Sequence, residues 1–194
     1  MGRPDLTETR TTEILDAFER CVGRYGLDGS SLERIAEEAG MKRSILRHYV
    51  GNRTDLIHAL TDRVVAGYRS QLQAFMDTLT DDGRIEQLMD FFLPTQPRET
   101  TESVLVIESL IAASDAYPQV RERMSEYMDD VVRMTSAQLQ LAYPDAGKRA
   151  CWNVAYGIVS IWFNQESLTS LQLPGKYQRG AMVCMTTLIR SLGN

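Results

Sequence analysis

Between Ser30 and Leu56 the stretch SSLERIAEEAGMKRSILRHYVGNRTDL holds two short helices and the opening of a third, which leaves room for little except a compact helical unit. Ser30 followed by Glu33 has the spacing of a capping box, in which each side chain satisfies an orphan backbone N–H, so a helix is predicted to begin there. Ile35, Ala36 and Ala39 then share one face, and Gly40 stands where a helix closes on a left-handed residue. Beyond that turn, Met41, Ile45 or Leu46, and Tyr49 or Val50 offer an inward stripe, while Arg43, Ser44, Arg47 and His48 point outward. Asn52 and Asp55 repeat the capping spacing at the third start, where Asp55 also suits the positive end of the helix dipole. The pattern is a helix-turn-helix with an amphipathic, basic second helix.

The charge distribution points the same way. Overall the chain is acidic, with a formal net charge of −5. Within residues 41–53, however, Lys42, Arg43, Arg47 and Arg53 face no acidic residue, and such a patch can neutralise phosphates and release counterions. A run of basic residues is ordinarily a solvated helix face. A solvated face does not require the glycine turn and both caps that coincide here.

A first helix from about Thr11 to Tyr25 carries Ile14, Leu15, Phe18, Val22 and Tyr25 on one face, spaced to cover the other two. Ahead of it, Gly2, Arg3 and Pro4 suit a terminal arm whose Arg3 enters a minor groove. The residues Ile14-Leu15-Asp16-Ala17-Phe18, Tyr25-Gly26, Ile35-Ala36-Glu37-Glu38-Ala39-Gly40-Met41 and Arg53-Thr54-Asp55-Leu56 resemble, in order and spacing, the N-terminal domain of the tetracycline-repressor (TetR) family of bacterial transcription regulators. The resemblance covers Thr12 to about Leu60, with departures at Lys42, Arg47 and Val50, where serine, tyrosine and phenylalanine are commoner.

Carried over by position, the resemblance implies that Arg43, Ser44, Ile45, Arg47 and His48 face a major groove, with Tyr49 at its edge and Arg53 on a phosphate. Arg43 and Arg47 are the side chains suited to guanine, because a guanidinium fork matches its paired acceptors, and either is equally able to hold a phosphate. Ser31 has two compatible roles, a phosphate contact at a helix start and simple capping.

The rest of the chain also reads as helix. From Arg53 to Leu79, the residues Leu56, Leu60, Val64, Tyr68, Leu72, Phe75 and Met76 recur at three- and four-residue spacing, giving a stiff lever roughly 40 Å long. Shorter helices are expected around Ile85–Phe92 and from about Glu99 to Ala116, then another from Pro118 to near Tyr143. Asp145 is placed to cap a helix running to about Leu171, and Ala181, Met185, Leu188, Ile189 and Leu192 mark a last one. The helix through Val154–Phe163 is apolar on more than one side, so it needs its own core on one face and a partner subunit on the other. The expected architecture is all-α: a three-helix helix-turn-helix domain over residues 1–53 and a helical effector-binding and dimerisation domain over residues 54–194.

Several function classes recede. Histidine occurs only at His48 and His58, so an imidazole base or ligand is impossible from Ala59 onward, and no phosphate-binding glycine loop or nucleophile elbow is present. Cys21, Cys151 and Cys184 are isolated and read as reduced, partly buried thiols, without a disulfide. With no apolar run of membrane-spanning length and no leader at Met1, the expectation is a cytoplasmic protein, not an enzyme, with no cofactor or metal and no membrane partner.

A twofold homodimer presents two reading helices, which favours double-stranded DNA carrying a pseudo-palindromic operator. The resemblance implies a repressor released by an unidentified small-molecule effector held among the C-terminal helices. Met89, Phe92, Met124, Met128, Trp152, Tyr156, Trp162 and Phe163 are the side chains able to line such a cavity, and ordinary core explains the same stripe. Asn164, Gln165 and Glu166 offer polar contacts, which solvent exposure explains as well. The alternative is a DNA-anchored adaptor whose C-terminal domain binds another protein, betrayed by a large exposed apolar patch where the repressor would have a cavity.

Overall fold

The computed structural model describes residues 6–94 and 102–193. Gly2, Arg3 and Pro4, with the arm expected of them, lie outside the described residues, as does Glu99. Among the described residues regular structure is helical, with no strand. The chain divides into two compact units that interleave in sequence, one drawn from Met1–Gly67 and Thr101–Ser125, the other from Tyr68–Thr100 and Glu126–Asn194. Reading by motif divides the chain once, after residue 53; the units divide by packing, so two long helices contribute to both.

In the first unit, α1 (Leu6–Gly29) buries Ile14, Leu15, Phe18 and Val22, the face expected from their spacing. Its helical geometry breaks at Gly26, whose φ of 69° lies in the left-handed region that side chains resist. α1 packs on α2 (Leu32–Glu38), α3 (Arg43–Val50) and, most extensively, α6 (Glu102–Ala113). Ile35 of α2, Leu46 of α3 and Leu56, Ile57 and Leu60 of α4 (Arg53–Thr78) are each fully excluded from solvent. Salt links add to this apolar centre: Arg63 of α4 pairs with Asp16 of α1 and approaches Glu19 at 3.7 Å. α7 (Pro118–Ala142) begins here, and its Arg123 reaches Asp62 of α4 at 2.8 Å.

In the second unit the later turns of α4 and α7 join α5 (Arg84–Phe92), α8 (Lys148–Ser167), a 3-10 turn at Thr169–Leu171 and α9 (Lys176–Arg190). Phe75 of α4 stacks on Phe91 of α5 with ring centres 3.9 Å apart. Arg84, at 9% exposure, ties α5 to α7 by donating to Gln138, and pairs with Asp81 at 2.6 Å. Asp130 of α7 sits between Arg69 at 2.5 Å and Arg133 at 2.6 Å, and hydrogen bonding to Arg133, helped by Arg69, holds its carboxyl below the usual range. α9 buries Ala181, Met185 and Ile189 on the expected stripe.

Three local expectations are displaced. The cap of α2 is Ser31, whose hydroxyl accepts from the Arg34 N–H at 3.2 Å, because Ser30 is fully buried and its hydroxyl donates to the Gly26 carbonyl at 2.7 Å. α8 starts at Lys148 after Gly147, without a side-chain cap, so Asp145 does not serve as one. All three cysteines are free, but Cys184 is exposed, whereas burial of Cys21 and Cys151 pushes their thiols up. No helix among the described residues is long and apolar enough to cross a membrane.

Candidate nucleic-acid interface

Gly40 adopts φ 63° and turns the chain between α2 and α3, as a left-handed closing residue must. The Met41 N–H reaches back to the Ala36 carbonyl at 2.9 Å, a bond that satisfies the end of α2 while redirecting the chain. α3 then presents two unlike faces. Leu46 and Val50 are buried against the unit's core, and Lys42, Arg43, Ser44, Ile45, Arg47 and His48 are exposed. The choice between Ile45 and Leu46 falls on Leu46, since Ile45 is 42% exposed among the basic side chains. Tyr49 is half-buried with His48 edge-on to its ring, 5.2 Å between centres. The structure therefore brings Arg43, Ser44, Ile45, Arg47 and His48 together on one outward face, with Tyr49 at its margin.

The two arginines of that face differ. Arg43 pairs with Glu33 of α2, across the turn. Arg47 makes no ion pair among the described residues and lies exposed one turn further along. Because Arg43 and Glu33 are both more than half exposed, their pair is worth little and yields readily to a competing anion. Sequence spacing gives no sign of that pair, which depends on how the turn folds α3 back toward α2.

Arg53 is not aimed outward. Its guanidinium donates to the carbonyls of Leu27 and Ser30, bracing the start of α4 against the junction of α1 and α2. The cap beside it is the reciprocal pair expected: Asn52 Oδ1 accepts from the Thr54 and Asp55 N–H groups at 2.8 and 3.1 Å, and Asp55 accepts from the Asn52 N–H at 2.9 Å. Ser31 is exposed, but its oxygen is engaged as the α2 cap.

A clamp that sequence reading missed fixes α2 on α1. Arg20 donates to Glu38 at 2.6 Å and Arg24 approaches the same carboxylate at 3.5 Å. The Arg20 hydrogen bond, helped by the charges of Arg20 and Arg24, holds the Glu38 carboxyl below its ordinary value of 4.5. A carboxyl depressed in the folded state stabilises above its unfolded value and loses that contribution as pH falls through the folded value. Below about pH 4.5 the domain is thus expected to lose stability, and Glu38→Gln to flatten that acid limb in unfolding midpoints measured against pH. Parallel acid limbs for the two proteins would remove the clamp.

The eight side chains expected around an effector scatter. Trp152 and Tyr156 stack on each other, ring centres 5.7 Å apart, on the outer face of α8, 45% and 56% exposed. Met124 is buried in the first unit. Met89, Met128, Trp162 and Phe163 are half-buried in the second, where Trp162 packs edge-on against the buried Phe92 at 5.7 Å. A cavity of about 510 Å³ does exist in that unit, at the C-terminal ends of α5 and α8 and the start of α9. Of the eight, Phe92 lines it; Leu93, Gln165, Glu166, Tyr177 and Gln178 are among its other walls. The aromatic stripe is mostly core and outer face because α8 needs cover on both sides, and the open volume falls where the chain turns polar.

Residues 14–60 match the family model described as bacterial regulatory proteins, tetR family. The chain is 23% identical over 126 residues to the HTH-type transcriptional repressor AcnR of Corynebacterium diphtheriae, covering 63% of this chain and 61% of that protein. It is 28% identical over 100 residues to the HTH-type transcriptional regulator BetI of Burkholderia ambifaria, covering 44% of this chain and 52% of that one. The chain thus spans less than two thirds of these curated relatives' length. In fold it is similar to a TetR transcription regulator from Haloarcula marismortui, at TM-score 0.78 and 16% identity over 95% of this chain and 98% of the other.

Proposed function

We propose that the chain is a member of the tetR family of bacterial regulatory proteins, whose model its residues 14–60 match, and that it is a sequence-specific DNA-binding repressor, acting as a homodimer and released from its operator by a small molecule. The observation that carries the reading is α3 itself: a short helix held from behind by Leu46 and Val50, with Arg43, Ser44, Ile45, Arg47 and His48 exposed on the opposite side. A rigid helix with a basic outer face fits the width of a major groove. Arg47, and Arg43 once Glu33 is displaced, supply the base-reading forks. Ser31 and Arg53 are assigned to building the domain.

A homodimer is supported by the outer surfaces of α8 and α9, where Trp152, Tyr156, Tyr177 and Val183 are all close to half exposed or more. Aromatic and aliphatic groups so placed on adjacent helices are the makings of a self-complementary interface. The cavity in the same unit favours release by an effector over the adaptor reading, and a ligand acts there by binding the DNA-free state more tightly than the DNA-bound one.

Selection of bound sequences from random duplexes at physiological salt, with sedimentation of the free protein, tests the proposal. Enrichment of two inverted half-sites and a dimeric mass are expected. A monomer that retains no duplex even at low salt overturns it.

A further inference from the structure

We propose that Glu33 is a base-reading residue supplied by α2, accepting from a cytosine N4 amine in the major groove once Arg43 has left it for guanine. This rests on the DNA-binding reading above and adds a specificity-determining contact to it. Spacing pairs Glu33 with Ser30 in a capping box, but the fold does not use it there: the Ser30 N–H bonds to the Leu27 carbonyl at 3.2 Å, and Ser31 caps α2. The Glu33 carboxylate reaches across the turn instead, to the Arg43 guanidinium on the outward side of α3, and both side chains are more than half exposed.

Release of Arg43 creates the demand for a new partner. A carboxylate on a surface facing DNA is repelled by phosphates and stripped of water as the interface closes, which is costly without a donor. The neighbouring charges do not meet that demand. Arg34, next in the chain, donates to the Gly29 carbonyl and lies over the Tyr25 ring at 4.4 Å, so it is committed to the end of α1. Lys42, beside Arg43, is drawn to phosphate in any complex; Arg47 stands one turn further along α3, and Glu37, one turn beyond Glu33, adds negative charge.

The base edges of the major groove offer two amine donors, on adenine and on cytosine. Adenine sets its N7 acceptor beside the amine, where the second carboxylate oxygen is repelled. Cytosine presents its N4 amine without that acceptor, so a carboxylate selects it. Because the Arg43 fork spans both acceptors of its guanine, Glu33, arriving from a different helix, meets the neighbouring base pair. The ion pair of the free protein is thus exchanged for two base contacts, and neither charge enters the interface unpaired.

Selection from random duplexes with wild type, Glu33→Gln and Arg43→Ala, followed by competition binding on the enriched sites, tests the assignment. Wild type is expected to enrich in each half-site a guanine and, at the neighbouring base pair, a cytosine. Arg43→Ala relaxes the guanine. Glu33→Gln lowers the cytosine preference about fivefold or more and passes it to adenine, whose N6 and N7 match a carboxamide, with no change in unfolding midpoint. An unchanged cytosine preference overturns the assignment, as does a uniform rise in affinity for every duplex, the mark of a lost negative charge alone. Relaxation of the guanine in Glu33→Gln, with the cytosine kept, also overturns it, by making Glu33 a support for Arg43. Wild type that enriches no sequence overturns the DNA-binding reading and this contact with it; enriched half-sites without a Glu33-dependent cytosine overturn this contact alone.

Discussion

Alanine at Arg47 is expected to narrow the affinity gap between operator and random duplex by about 1–3 kcal/mol, a factor of roughly 5 to 150, with no change in unfolding midpoint. The side chain is exposed and makes no ion pair among the described residues, so its removal leaves no buried charge and no cavity. A guanidinium loses less on entering the groove when it has no partner to leave, which separates Arg47 from Arg43, paired with Glu33. Random duplex offers phosphate to both arginines, so non-specific binding falls with the lost charge, whereas the operator complex loses a base contact as well. Competition binding at one fixed salt concentration reads the ratio directly. An unchanged ratio, with both affinities lowered equally, would make Arg47 a phosphate contact and leave sequence reading to other residues of α3.

How much of this was legible in the sequence follows the range of each interaction. The reciprocal Asn52 and Asp55 cap, the left-handed Gly40 and the near-identical limits of α4 and α7 are local matters, fixed by side chains within a turn of the backbone they satisfy. The choice between Ser30 and Ser31 was not legible, because both are good caps and what decides is the burial of Ser30 under the end of α1. Ile45 and Leu46 are likewise adjacent, and only the packing of α3 against the core selects which faces in. Aromatic content placed an effector site on Trp152 and Tyr156, but a helix apolar all round does not say which face meets its own core, and those two lie on the other. The Glu38 clamp and the Glu33 pair join different helices, and spacing along one chain carries no trace of them.

Arg53 is where resemblance and geometry diverge most, and Arg53→Met is expected to cost about 2 kcal/mol of stability while leaving the salt dependence of DNA binding unchanged. A cation at the first position of α4 meets the positive end of that helix, an unfavourable placement unless something else holds it. What holds it is the pair of carbonyls at Leu27 and Ser30, just beyond the break at Gly26, where the end of α1 leaves backbone oxygens in need of donors. Methionine keeps the apolar stem and removes both charge-assisted bonds; lysine restores the charge but cannot fork to two acceptors, so Arg53→Lys should recover little. If Arg53 grips phosphate, the pattern inverts. The logarithm of affinity against the logarithm of salt then loses about one unit of slope in Arg53→Met, lysine restores it, and the unfolding midpoint stays where it was. Thermal unfolding of the three proteins beside their salt titrations distinguishes a brace within the domain from a contact on DNA, because each role predicts movement in the measurement that the other leaves still.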